Sequence, residues 1–284
     1  MSAVPSEPKP IPTPIPDPDR QPMPDPAPDR GPDEIPIPAI VGMEVIPAAL
    51  RAGWRDFRRA PAFGLFFAAF YVVGGLVLAA VATASGQEWW LMPFVVGFPL
   101  IAPFAATGLY EVSRRIETDE PLDWLKVLAV VVAQKDRQVP SMAMVVLLMF
   151  MFWVFVAHTT FALFMGVSSL TNVSSSPEIL FQGRGLTMLL VGTIIGAGFA
   201  AVLFSITVVG LPLILDREVD LVSAIIASFQ AVAANPGVML VWAGIIAGLL
   251  FLGILPMFLG LLIVLPVLGH ASWHMYRYLM PDED

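Results

Sequence analysis

From residue 61 onward the chain consists of long stretches without a charged residue, separated by short polar connections. About 20 consecutive apolar residues suffice to cross a bilayer as a helix. The pattern predicts spans over about 62–85, 91–112, 141–165 and 186–215. One apolar phrase recurs inside them. Val95-Val96-Gly97-Phe98-Pro99-Leu100-Ile101 returns as Val208-Val209-Gly210-Leu211-Pro212-Leu213-Ile214, and more loosely as Ile263-Val264-Leu265-Pro266-Val267-Leu268. Taken as equivalent inner ends of spans, the three copies predict three helical hairpins.

A shorter helix precedes each hairpin. Over 45–59, Leu50, Trp54 and Phe57 share one face, ringed by Arg51, Arg55, Arg58 and Arg59, which suits a helix lying in the headgroup layer. Pro61 closes it. Over 117–137, Trp124, Leu125 and Leu128 fall at helical spacing before Pro140, and 221–235 forms a mildly amphipathic third copy before Pro236. Counting back from Pro61 and Pro236 aligns Trp54 with Phe229 and Leu50 with Ile225, the signature of an internal repeat. Gly86-Gln87-Glu88 reads as a turn, with Trp89-Trp90 as an interfacial anchor, and 168–176 reads as a polar loop.

Residues 237–278 carry no charged residue until Arg277. One helix of that length would run about 60 Å, roughly twice the hydrocarbon thickness. Two spans turning near Leu255-Pro256 fit better, giving six; five spans with a kinked last helix is the alternative. A turn without polar residues must sit at the interface or be covered by neighbours, because lipid cannot satisfy its freed backbone groups.

Composition supports this class: 57% of the 284 residues are hydrophobic and 13% charged, far from an ordinary soluble domain. The absence of cysteine excludes disulfides, thiolate metal sites and Fe–S clusters. The net charge of -8 says little about partners, because seven of the 23 acids lie in the first 40 residues, together with 14 of the 27 prolines. Pro8, Pro10, Pro12, Pro14, Pro16 and Pro18 alternate there, which predicts an extended, disordered tail acting as a spacer, with a docking arm as the alternative. No basic start precedes an apolar run there, so no signal peptide is expected. The expected organisation is a tail over 1–44, a six-span domain over 45–278 and an acidic end over 279–284. The fold is an all-α polytopic bundle.

Of the 15 basic residues, three are in the tail, Arg184 stands alone, and the other 11 share one side in the six-span arrangement. The positive-inside rule then places the surface helices and both termini in the cytoplasm of a bacterial inner membrane.

Candidate chemistry is sparse. His158, in the outer half of the third span beside Thr159 and Thr160, is either part of an ion pathway or an imidazole bonded to a backbone carbonyl or threonine. His270 and His274 share a helix face and could together touch an ion or a haem edge, yet with Trp273, Tyr276 and Arg277 they equally resemble an interfacial belt. Glu111, Arg114 and Arg115 could pair locally or with Asp216 and Arg217 across the bundle. Gly192-x-x-x-Gly196 and Gly244-x-x-x-Gly248 are expected to be close-packing faces inside the bundle. Asn172-Val173-Ser174 matches a glycosylation acceptor. No phosphate loop, catalytic carboxylate pair or nucleophile elbow is present, so no catalytic, metal or cofactor residue is assigned. No nucleic-acid partner is expected.

Trp54-Arg55-Asp56-Phe57 with Pro61, Gly108-Leu109-Tyr110-Glu111 with Ser113-Arg114-Arg115, Pro212-Leu213 with Leu215-Asp216-Arg217, Asn235-Pro236, and Leu265-Pro266 with Gly269-His270-Ala271-Ser272-Trp273-His274 together carry a resemblance. They resemble an uncharacterised bacterial integral-membrane family, common in alphaproteobacteria and sometimes labelled as related to cytochrome c oxidase subunit I. The resemblance covers roughly residues 45–278 and implies an inner-membrane protein. A haem-copper core needs about six imidazoles for its centres. This chain has three histidines, which excludes the catalytic subunit. The expectation is a non-enzymatic protein that acts through the bilayer and other membrane components, as an accessory or assembly factor. The alternative is a small transporter or channel between kinked hairpins, which requires a polar-lined cavity reaching His158.

Overall fold

The computed structural model describes residues 35–85, 92–166, 181 and 183–281. The proline-rich stretch before residue 35, the turn at 86–88 with Trp89-Trp90, the loop of 168–176 with Asn172, and the last three residues lie outside the described residues. All regular structure among the described residues is helical: α1 (Val45–Arg59), α2 (Pro61–Ser85), α3 (Met92–Glu117), α4 (Trp124–Ala133), α5 (Val139–Met165), α6 (Gly183–Thr207), α7 (Gly210–Asp216), α8 (Leu221–Ala234), α9 (Pro236–Ile254) and α10 (Leu261–Leu279).

Among the described residues three helices are long and apolar enough to cross a membrane: α5, α6 continued by α7, and α9. The pair α1 and α2, bent by 98°, passes the same test together as a fourth. The six expected spans are met only to this extent. α10 ends in His270, His274 and Arg277, and this polar last third dilutes its apolar run.

Two aspartates start the surface helices. Asp123 accepts the Lys126 N–H at 3.0 Å ahead of α4, and Asp220 accepts those of Val222 and Ser223 ahead of α8. The α6–α7 break follows from Pro212, which has no N–H to continue the ladder. The N–H of Val209 is taken up instead by the Ser228 hydroxyl of α8, 3.1 Å away and fully buried. The chain turns between α9 and α10 as expected, over 255–260. There Met257 and Phe258 adopt positive φ, 52° and 66°. The turn satisfies part of its own backbone, Phe258 N–H reaching Ile254 and Leu261 N–H reaching Phe258, each at 3.0 Å. Gly253 and Gly260 press together at its base, where a Cβ on Gly260 would stand 2.8 Å from the Gly253 backbone.

Packing differs from the expected apolar stripe on α1. Phe57 is buried and Leu50 half-buried as expected, but Ala49, Ala52, Gly53 and Asp56 are buried too, while Trp54 stays 44% exposed. The reason is proximity: Gly53 lies directly against the α10 backbone at Val267 and Ala271, a distance that only small side chains permit. The Phe63 ring of α2 stacks on Trp124 of α4, with centroids 3.9 Å apart. On α5 and α6, Phe152 meets Phe199 edge-on and Trp153 lies beside Gly196.

Residues 35–44, assigned to the tail from sequence, are tied to the helices. The Asn235 side chain accepts the Val41 N–H at 2.8 Å and donates to the Ala39 carbonyl at 2.9 Å, and the Ala39 N–H reaches the Leu279 carbonyl at 2.8 Å. The start of α9 and the end of α10 are thereby fastened to one strip of chain. Asn235→Ala removes two of these three bonds, each worth about 1 kcal/mol. It is expected to speed cleavage after Glu44 by a glutamate-specific protease roughly five- to thirtyfold. An unchanged cleavage rate would refute the clamp.

Candidate polar site at the helix ends

The last thirds of α3 and α10, the end of α7 and one face of α1 bring their polar side chains together. Asp56 is completely buried. Its Oδ2 accepts a hydrogen bond from His274 Nε2 at 2.6 Å and another from the Ser113 hydroxyl at 3.0 Å. Ser113 Oγ lies 2.8 Å from His270 Nδ1. Because the single Ser113 proton points to Asp56, Nδ1 is the donor on His270. The bonds therefore run His270 to Ser113 to Asp56, with His274 arriving from the other side. His270 Nε2 is left buried without a hydrogen-bond partner.

Helical spacing explains the set. His270 and His274 are one turn apart on α10, and Asp56 lies on the same buried face of α1 as Ala49 and Gly53. Burial on its own raises the Asp56 carboxyl pKa, but the His274 bond and charge, the Ser113 bond and the nearby His270 outweigh it and hold it below the ordinary 3.8.

A second group lies alongside. Glu117 accepts from Trp273 Nε1 at 2.9 Å and from Arg277 Nε at 3.2 Å. Asp216 accepts from the Tyr276 hydroxyl at 2.6 Å and lies 3.7 Å from Arg277 Nη1. Arg217, the next residue, offers its carbonyl to Arg137 Nη2 at 3.3 Å and its side chain acts on the Tyr276 hydroxyl. Glu111 is taken locally by Arg114 Nε at 2.8 Å and Arg115 Nε at 2.6 Å. Arg114 also binds Glu120 at 3.0 Å, which holds that exposed carboxyl below its usual value.

Glu111, Arg114, Asp216, Arg217, His270 and His274 are thus gathered at one end of the helices, although Glu111 and Arg114 do not reach Asp216 and Arg217. Arg277 connects α3 to α7 instead. His158 is not part of this group. It is exposed on α5 and donates from Nδ1 to its own Val154 carbonyl at 2.8 Å. Asp56, Ser113, Glu117 and Tyr276 were missed by sequence reasoning. One signal was available for Asp56, an acid lying on the small-residue face of an arginine-rich helix.

Chemically, the arrangement fastens helices. Ser113 is fully buried and shared between a carboxylate and an imidazole, so it lacks the exposed approach that a nucleophile needs. Among the described residues no group of three or more His, Asp or Glu is placed to hold a metal ion. The clefts between α5 and α6, of about 300 and 380 Å3, are walled by Phe150, Trp153, Phe161, Phe199 and Leu203. Gly192, Gly244 and Gly248, expected to pack inside the bundle, have none of the described residues' atoms within 4 Å of a Cβ position.

No curated protein and no solved structure matches the chain. Residues 91–216, which run from α3 through α7 and include Glu111, Ser113, Arg114 and Asp216, match the model of a family described as "Predicted integral membrane protein (DUF2189)", so this segment is that of an integral membrane protein.

Proposed function

We propose that the protein is a non-enzymatic membrane component that works by binding other proteins inside the bilayer of a bacterial inner membrane. Its architecture in this reading is six spans in three antiparallel pairs, α2 with α3, α5 with α6 and α7, and α9 with α10. The packing of Trp153 against Gly196, the Asn235 clamp joining the start of α9 to the end of α10, and the joining of α3 and α10 at their polar ends all support an even number of crossings. The polar end, with 11 of the 15 basic residues, is cytoplasmic by the positive-inside rule. A reporter fused after Asp284 that is active only outside the cell would overturn that orientation.

The observation that carries the functional reading is the face of α9 turned away from α10. Leu240, Val241, Gly244, Gly248 and Phe251 are exposed along it, and no side chain among the described residues fills its glycines. Small residues on such a face allow another helix to approach closely. A transport reading finds less support, since the clefts between α5 and α6 are mostly apolar, with Thr160 and Thr193 as the polar side chains lining the larger, and His158 bonds to its own helix. The test uses a photo-crosslinking residue at Leu240 or Phe251, with Leu163 of α5 as comparison. A protein adduct of one defined mass at the α9 positions, absent at Leu163, is the expected result. Lipid adducts alone at all three positions would sink the reading.

A further inference from the structure

We infer that the outer face of α1 is a binding site for the phosphate groups of anionic phospholipids. α1 carries four arginines within nine residues, Arg51, Arg55, Arg58 and Arg59, all exposed. At 100° per residue Arg51, Arg55 and Arg58 lie within roughly 60° of one another around the helix. They form a narrow stripe along its length. Like charges three and four residues apart repel. The single acid of α1, Asp56, does little to relieve this. Its Oδ1 is 3.5 Å from Arg55 Nε, while its Oδ2 is engaged by His274 and Ser113. The stripe is therefore close to uncompensated by the chain's own described residues.

Its neighbours fix what covers it. One flank of the stripe is Trp54, exposed, with Leu50 half-buried beside it. The opposite face is locked to α10 through Gly53 and Asp56. α1 meets α2 at 98°, so when α2 crosses the bilayer α1 lies along its surface. That step rests on the spanning role of α2 in the reading above. An indole and a leucine on the membrane side of an arginine row set the guanidiniums at the depth of the lipid phosphates, whose oxygens match the planar fork. A zwitterionic headgroup brings its own cation to that depth, whereas an anionic one leaves its charge available to the stripe.

The test uses the purified full-length protein in nanodiscs of phosphatidylcholine mixed with phosphatidylglycerol, reading the enrichment of phosphatidylglycerol among retained lipids by mass spectrometry. Each arginine near an anionic surface contributes a factor of about five, so R51Q/R55Q/R58Q is expected to lower the enrichment roughly a hundredfold. The wild-type enrichment is expected to fall with added salt. K126Q/K135Q, which removes two exposed cations of the neighbouring helix region, leaves it unchanged. If the glutamine variant does not fold, R51K/R55K/R58K reads the same site, retaining most of the enrichment through charge. Equal enrichment in the wild type and the glutamine variant overturns the inference. Displacement by inorganic phosphate shows a site for free phosphate and also overturns it. No enrichment in the wild type overturns it too. The lipid readout is independent of whether any protein is captured at α9, so failure of either proposal is distinguishable from failure of the other.

Discussion

Gly53→Val detaches α1 from α10 and is expected to lower stability by about 3 kcal/mol or more, at the upper end of overpacking costs. A Cβ at this position would lie 2.6 Å from the Ala271 nitrogen, 2.7 Å from the Val267 oxygen and 2.8 Å from the Ala271 Cα. All three are backbone atoms in a helix, so no rotamer change relieves the clash. One helix must move away. Asp56, one turn further along the same face, moves with it, and its 2.6 Å bond to His274 is the next to be lost. Replacing a helical glycine by alanine ordinarily gains about 1 kcal/mol in propensity. Gly53→Ala is therefore the sharper comparison, because steric cost and propensity oppose each other there and the clash is expected to win. Gly244→Ala, with nothing among the described residues within 4 Å, has the propensity gain alone and is expected to be neutral or stabilising. The check is the thermal midpoint of the detergent-solubilised protein by size-exclusion fluorescence. Wild-type melting of Gly53→Val would remove the close contact between the two helices.

The internal repeat was legible because it is a matter of spacing. Trp54 and Phe229 are both exposed, and Ala49 and Ala224 at the equivalent earlier position are both fully buried. The chain breaks in the same conformation ahead of each proline, with φ -132° and ψ 52° at Ala60 and φ -129° and ψ 48° at Asn235. Gly53 and Ser228 are also equivalent, and each touches the backbone of a neighbouring helix. Depth was not legible in the same way. Pro99 and Pro212 sit in nearly identical words, yet Pro99 lies 18 residues before the end of α3 at Glu117, while Pro212 lies four before Asp216 at the end of α7. A valine-glycine-proline phrase is compatible with any level of an apolar medium, and only flanking charges fix its height. The buried face of α1 was legible only in part, with Phe57 buried and Leu50 half-buried but Trp54 exposed, for a related reason. Hydrophobic size marks Leu50, Trp54 and Phe57, but helices in closest contact select Ala49, Ala52 and Gly53, and the acid among them gives no apolar signal. The polar site inherits this blindness, since Ser113 and Tyr276 acquire meaning only when α3, α7 and α10 are placed side by side.

Asp56→Ala is expected to cost about 3 kcal/mol, the penalty for removing a buried acceptor and leaving its donors unpaired. The loss comes from what remains: the fully buried Ser113 hydroxyl and the part-buried His274 Nε2, 3.0 and 2.6 Å from the missing oxygen, are left without their acceptor. Removing the second partner as well should then restore stability. Asp56→Leu with His274→Leu is expected to be more stable than either single change predicts, with a coupling of at least about 1.5 kcal/mol in a double-mutant cycle. A coupling near zero would mean that the two side chains are neighbours without interacting. Acid supplies an independent test with a fixed sign. Since the native carboxyl titrates below its ordinary 3.8, its contribution is complete above that value and disappears as pH falls through the depressed native one. The stability gap between wild type and Asp56→Asn should therefore hold from neutral pH down to about 4 and close below it. His270, His274 and Arg55 face this carboxyl, so the same scan on His270→Gln separates the imidazole's contribution. A gap that persists undiminished in strong acid would show that Asp56 holds α1 by shape and not by its charge.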